Sequence, residues 1–206
     1  MKTIAFLLAL AFAIFNACER PPRGKEIVHN VTDNANMDHS KMGHAMESSP
    51  NAASAPYDLQ FIDTMIAHHQ GAIDMAQLVD TRAQHGELKT LAKSIIADQQ
   101  NEIAQMREWR KSWFGEAAPA VNMDLPGMHQ GMFGMNLEKL DNLKANEFDV
   151  EFVRQMIPHH EGAVAMAEDL KKQEAHAELK TLADNIIKSQ SAEIGQMKQW
   201  LADWNK

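Results

Sequence analysis

The side chains able to do chemistry in this sequence are thioethers and imidazoles. The 206-residue chain carries 14 Met and 10 His. Together they suit copper: multiple thioethers favour Cu(I), and added imidazole and carboxylate allow Cu(II). Their spacing is ordered. Met65 stands three and four residues before His68 and His69, and Met156 stands likewise before His159 and His160. Side chains three and four apart share one face of a helix, so each cluster can present sulfur and imidazole together. Two further groups lie apart from these. One is Met37, His39, Met42, His44 and Met46; the other is Met128, His129, Met132 and Met135, with Met123 just ahead. Both are read as flexible and exposed. Exposed Met is not explained by core packing, so both are expected to capture copper.

Composition removes several classes. The net charge is −8, from 20 basic and 28 acidic residues. No basic excess exists to neutralise phosphates, so nucleic acid is not a partner. Aromatics are 6%, with one Tyr, which speaks against a β-sandwich and against a stacking surface for single strands. A single Cys rules out an internal disulfide and any multi-Cys zinc or iron–sulfur site. Hydrolase and phosphate-loop motifs are absent.

The elements that must position the clusters follow from an internal repeat. Residues 58–113 align without a gap on 149–204, with 26 identities in 56 positions. The repeat units are bounded at 58–114 and 149–205, with a connector at 115–147. Phe61, Met65, His68, His69, Ala72, Met75 and Ala76 form one apolar helical stripe, and residues 88–106 form another. The break lies at residues 82–86, where Gly86 can serve a turn. Each copy therefore predicts a helical hairpin with arms of roughly 26–30 residues, about 40–45 Å long. Two hairpins bury their faces together as an all-α four-helix bundle over 57–206. Asn146 is expected to cap the third long helix, with Asp149 near its positive end. Pro158 is expected to bend or break that helix. The connector predicts a short helix from Leu137 to Ala145, and its path along the bundle is left open.

Folding the hairpins brings Met65 opposite Met106, His68 opposite Glu102, and His69 opposite Asn101 or Glu102. In the second copy it brings Met156 to Met197 and His159 to Glu193. Metal ligands are thus expected at Met65, His68, His69, Glu102 and Met106, and at Met156, His159, His160, Glu193 and Met197. The alternative is plain packing, with Glu or Gln satisfying buried His. Burying adjacent imidazoles costs roughly a few kcal/mol unless partners are present, and the arrangement recurs in both copies. Gly71 and Ala72 leave room for an ion or for close helix approach. His85 and His176 read as capping or surface residues. Trp109, Trp113, Trp200 and Trp204 read as packing at the bundle ends.

The N-terminus reads as an address. Lys2 precedes an apolar run from Ile4 to Phe15, too short for a bilayer span and suited to a signal segment at 1–17. It ends at Cys18, as in a lipobox, which predicts a lipid anchor on Cys18 and a place in the cell envelope. Residues 18–56 read as a flexible tether carrying the first Met/His tract.

The Met-Ile-x-His-His-x-Gly-Ala-x-x-Met-Ala segment and the following Gln-x-x-Glu-Ile-x-x-Met-x-x-Trp segment, present in both copies, resemble domain-of-unknown-function family 305. That resemblance implies a ferritin-like helical bundle. Some exported members bind copper, which implies a copper role for Met65, His68, His69, Met106, Met156, His159, His160 and Met197. Separately, Met37 to Met42 is similar to the Met/His tracts of periplasmic copper-resistance proteins. The leading expectation is an exported protein that sequesters or relays Cu(I) or Cu(II), with a copper efflux or oxidase protein as a candidate partner. A ferritin-like metal oxidase acting on Cu(I) is a second reading. A di-iron oxidase is disfavoured, because Glu-x-x-His occurs only at Glu26 and His29. A metal-free structural or interaction bundle is the third reading.

Overall fold

A computed structural model describes residues 47–204. Among these, all regular structure is helical: α1 (Tyr57–Arg82), α2 (Gly86–Phe114), α3 (Met128–Phe133), α4 (Leu137–Asp141), α5 (Ala145–Leu170) and α6 (Ala177–Trp204). A single 3-10 turn, Ala52–Ser54, precedes them. No helix among the described residues is long and apolar enough to cross a membrane. The long helices contain 26, 29, 26 and 28 residues, within the expected range. Gly115, at φ 54, ends α2 in the left-handed half of backbone space that favours glycine. Pro158 lies inside α5 without breaking it, and the expected break does not occur.

The apolar stripes decide the packing. α1 pairs with α2, α5 pairs with α6, and α1 also packs on α5. One buried cluster joins Phe61, Ile62, Met65, Ile103 and Met106 to Met166, Leu170, Leu182 and Ile186. A second joins Met75, Val79, Leu88 and Ile95 to Phe148, Phe152, Met156 and Met197. The start of α1 thus meets the end of α5, so these two helices run antiparallel.

The connector climbs the groove between them. Its first part is bound to α1: the backbone N–H of Ala120 donates to Asp63 at 2.9 Å and that of Asn122 to Thr64 at 2.8 Å. Arg110 donates to the same Asp63 carboxylate at 2.6 Å. Its last part is bound to α5: Asn136 N–H donates to Gln155 at 2.8 Å, and Lys139 pairs with Glu151 at 2.8 Å. The path that the sequence left open is therefore a crossover spanning the length of the helices.

Four local expectations are corrected. The short helix ends at Asp141, and Ala145 already belongs to α5. Asn146 does not cap α5, which starts after Lys144; its amide donates to the Trp204 carbonyl at 3.3 Å. The Met128 tract is not a flexible exposed loop. It forms α3, with Met128 fully buried, because the α1/α5 groove offers an apolar floor. The end of the expected tether is also packed: Ser49 N–H donates to the Val121 carbonyl at 2.7 Å, and Ala52 is buried.

At each end a carboxylate from one hairpin holds the turn of the other. The Asp149 carboxylate accepts from the backbone N–H of Gln84 and His85, at 3.1 and 2.8 Å, and from His85 Nδ1 at 2.6 Å. At the far end Asp58 accepts from His176 N–H at 3.1 Å and from His176 Nδ1. The His85 ring stacks on Trp204 at 4.2 Å and the His176 ring on Trp113 at 3.9 Å. The end-packing expected of these two Trp residues, and the turn role expected of both His residues, take this form. Asp149 is fully buried and His85 is 23% exposed, whereas His176 is 46% exposed. Asp149→Ala is therefore expected to lower unfolding free energy by about 3 kcal/mol, and Asp58→Ala by less, because water can replace part of the second latch. Urea unfolding of both variants measures the difference; equal losses would contradict it.

Candidate metal centre

Successive helical residues differ in direction by about 100°, so the two His of each pair cannot face the same neighbour. His68 on α1 meets His159 on α5, with ring centroids 3.8 Å apart and planes inclined at 38°. His69 turns instead to α2, where Nε2 lies 2.7 Å from a Glu102 oxygen. His160 makes the same contact with Glu193, also at 2.7 Å. Of the two rings expected near Glu102, His69 is the one that reaches it; in the second copy the expected register is corrected by one residue, since His160 and not His159 reaches Glu193. All four rings are fully buried.

The protonation pattern follows from the partners. A carboxylate accepts, so Nε2 of His69 and of His160 donates, and in the neutral ring Nδ1 of each is left with the lone pair. Neither Nδ1 has a hydrogen-bond partner. In the central pair all ring nitrogens of His68 and His159 lack one. Burial, then the neighbouring imidazoles, holds both rings well below the ordinary histidine pKa. They are neutral, the form that binds metals. Gln99 and Gln190 are buried with their amide oxygens also unpaired, so the partner found for His is Glu rather than Gln.

The crossover roofs the central pair. A β-carbon at Gly131 would collide with His68 Nε2. One at Gly71 would lie 3.0 Å from the Met135 sulfur and 3.5 Å from His159 Nε2. Thioether and imidazole therefore meet over the same bare patch of α1. Gly162 does the equivalent on α5: a β-carbon there would lie 2.5 Å from the Gly127 carbonyl. The room expected beside Gly71 and Ala72 is used by the crossover.

Sulfur lies in both buried clusters. Met65, Met106 and Met128 are fully buried in one cluster, with Met132 packed against it. Met156 and Met197 are fully buried in the other, with Met135 against it. Among the described residues, no three His, Cys, Asp or Glu side chains converge as a metal site. His129 stays at the surface, 3.7 Å from Asp124. Cys18, Met37, His39, Met42, His44 and Met46 lie outside the described residues. Asp58 and Gly131 lie outside the site residues expected from the sequence. Asp58 was detectable as the residue matching Asp149 in the aligned copies. Gly131 gave no signal, because its need for a missing side chain arises only against His68.

Residues 58–201 match the family described as Domain of unknown function (DUF305). The chain belongs to DUF305. CopM in its Cu(II)-bound form is 50% identical, with a TM-score of 0.62 over 71% of this chain and 97% of that one. CopM is also known in a Cu(I)-bound form, at 46% identity and a TM-score of 0.62 over 72% of this chain and 98% of that one. A DUF305 fragment from Deinococcus radiodurans is 30% identical, with a TM-score of 0.62 over 72% of this chain and 97% of that one. The uncharacterized protein L153 of Acanthamoeba polyphaga mimivirus is 43% identical over 49 residues, which span 24% of this DUF305 chain and 32% of that protein.

Two outcomes follow from the buried rings. Below about pH 6.5 the unfolded chain protonates His68 and His159 while the fold keeps them neutral. The unfolded state then binds more protons, so stability is full above that pH and is lost as pH falls, by roughly 1.4 kcal/mol per unit for each ring. Unfolding free energies of the wild type and of His68→Leu/His159→Leu, measured across this range, should differ in slope; parallel curves would refute the assignment. Gly131→Ala should cost about 1–3 kcal/mol through overlap with His68. Gly86→Ala, where a β-carbon meets nothing within 4 Å, should cost nothing.

Proposed function

We propose that this chain is an exported copper-binding protein that sequesters or relays Cu(I) in the cell envelope. In this reading it is a ferritin-like four-helix bundle of two duplicated hairpins, tethered by a lipid on Cys18. The observation that carries the copper reading is the pair of buried Nδ1 atoms of His69 and His160. Each has its other nitrogen held by a carboxylate and no partner of its own. Carboxylate, imidazole and metal in that order is the usual way a protein orients a ligating His and raises its basicity. Glu102 and Glu193 then position ligands and are not ligands themselves.

The donors around them are soft. Met65 lies one helical turn before His69 and Met156 one turn before His160, and Met106 and Met197 share the respective buried clusters. Sulfur with one or two imidazoles favours Cu(I) over harder divalent ions. An unpaired buried polar atom costs roughly 1–3 kcal/mol; a bound ion would offset that cost, which gives the fold a reason to keep such atoms. The copper-bound and silver-bound forms of CopM, at 46% identity and above, support the same chemistry.

The test is an anaerobic Cu(I) titration of the full chain against a competing chelator. Several equivalents are expected. His69→Ala/His160→Ala should remove the tightest sites, whereas Glu102→Gln/Glu193→Gln should keep the stoichiometry and weaken affinity roughly 10–100-fold. Unchanged Cu(I) binding in the double His variant would overturn the reading. Loading is expected without sustained oxygen uptake; turnover of oxygen would instead mark an oxidase.

A further inference from the structure

We infer that residues 129–135 are a lid, and that its opening is how the central imidazoles meet solvent and any ion solvent carries. As a route for copper the inference rests on the reading above; as a lid it rests on the metal-free protein alone. The need for an opening comes first. All four rings are fully buried, and six of their nitrogens have no partner. A solute reaches them only if part of the fold moves aside. The ends of the bundle are closed by the Asp149–His85 and Asp58–His176 latches. From α2 and α6, an approach to the outer rings stops at Nε2, which Glu102 and Glu193 already occupy.

The crossover is built differently. Ala120 and Asn122 are tied to α1 through Asp63 and Thr64, and the Asn122 amide also donates to Gln60 at 2.7 Å. Asn136 begins the tie to α5. Between these anchors, among the described residues, 124–135 form hydrogen bonds only within the crossover. Met128 N–H donates to the Leu125 carbonyl at 3.1 Å, Gly131 N–H to that of Gly127 at 2.9 Å, and Met135 N–H to that of Met132 at 3.2 Å.

Burial narrows the moving part. Met128 is fully buried and fixes the start of α3. From 129 to 135 the buried residue is Gly131 alone, and Phe133 is already 72% exposed. Gly131 is also what bears on the rings, since His68 Nε2 fills the space of its missing β-carbon. The contact with His68 is therefore bare backbone. Met132 and Met135, the two thioethers of the lid, are only partly buried against the core. Few buried apolar contacts and no hydrogen bond to the helices beneath are the marks of a segment that opens while the rest stays folded.

The experiment staples the lid. A Gly134 β-carbon would stand 3.6 Å from the Pro158 ring, within reach of a disulfide from a Cys at 158. Gly134→Cys/Pro158→Cys is made in the full chain carrying Cys18→Ser. Its oxidised form is compared with the reduced form capped by a methyl thiosulfonate. The probe is diethyl pyrocarbonate, read at each His by peptide mass mapping, with exposed His129 as the internal reference. Modification of His68 and His159 should be about tenfold slower in the stapled form. Equal rates, or no reaction in either form, overturn the lid. A second arm needs no cysteine. Gly131→Ala should prop the lid and speed modification of His68 about tenfold, whereas Asp149→Ala, which weakens the fold elsewhere, should not. Equal acceleration by both would mean entry by global unfolding and overturn the lid. Ag(I), a redox-inert stand-in for Cu(I), then tests the route. Core loading slowed by the staple supports it, and loading at an unchanged rate overturns it. If the core takes up no Ag(I) in either form while the staple still slows pyrocarbonate, the copper reading fails and the lid stands.

Discussion

Four imidazoles without access to water set the terms for everything around them. Neutral His needs a donor and an acceptor, and the interior supplies one partner each to His69 and His160 and none to His68 and His159. Such a deficit persists only where the rest of the fold holds the rings in place. Here that work is divided. Glu102 and Glu193 fix two rings from the second helix of each hairpin. The crossover presses on His68 through Gly131, which has no side chain to get in the way. The unpaired nitrogens are then a property of the whole arrangement and not of one helix.

The division also explains the distribution of glycine. Gly71 and Gly162 occupy matching places in the two hairpins, yet they meet different things: a Met135 thioether on one side and the Gly127 backbone on the other. One crossover cannot lie identically on two related surfaces. It therefore gives the first hairpin sulfur and the second peptide, and makes unequal two environments that the helices alone would leave alike.

What could be read from the sequence was what depends on periodicity. The helices, their lengths and the offset between hairpins follow from residues repeating every three to four positions and again 91 positions on. The opposition of imidazole and carboxylate across each hairpin was legible to within one residue. The sequence left Glu102 open to both His68 and His69 and set Glu193 opposite His159; the structure gives each carboxylate to the second His of its pair, because a hairpin considered alone has no α5, and α5 is what claims His68. The crossover was the least legible part. Residues 115–136 are rich in Met, Gly and Pro and lack a helical stripe, so they read as a loose loop. Their order comes from Gln60, Asp63, Thr64 and Gln155, polar residues of α1 and α5 with no visible partner until the groove exists.

The end latches carry a consequence for the halves of the chain. Asp58 holds His176, and Trp113 covers it; in the alignment of the two halves, His176 stands where His85 stands. A lone first hairpin contains all the parts of such a latch, Asp58, His85 and Trp113, but cannot bring them together within itself, because Asp58 and His85 sit at opposite ends of α1. Two copies lying head to tail could. The surface of one hairpin is self-complementary, and a chain of half the length would satisfy it by forming an isologous dimer.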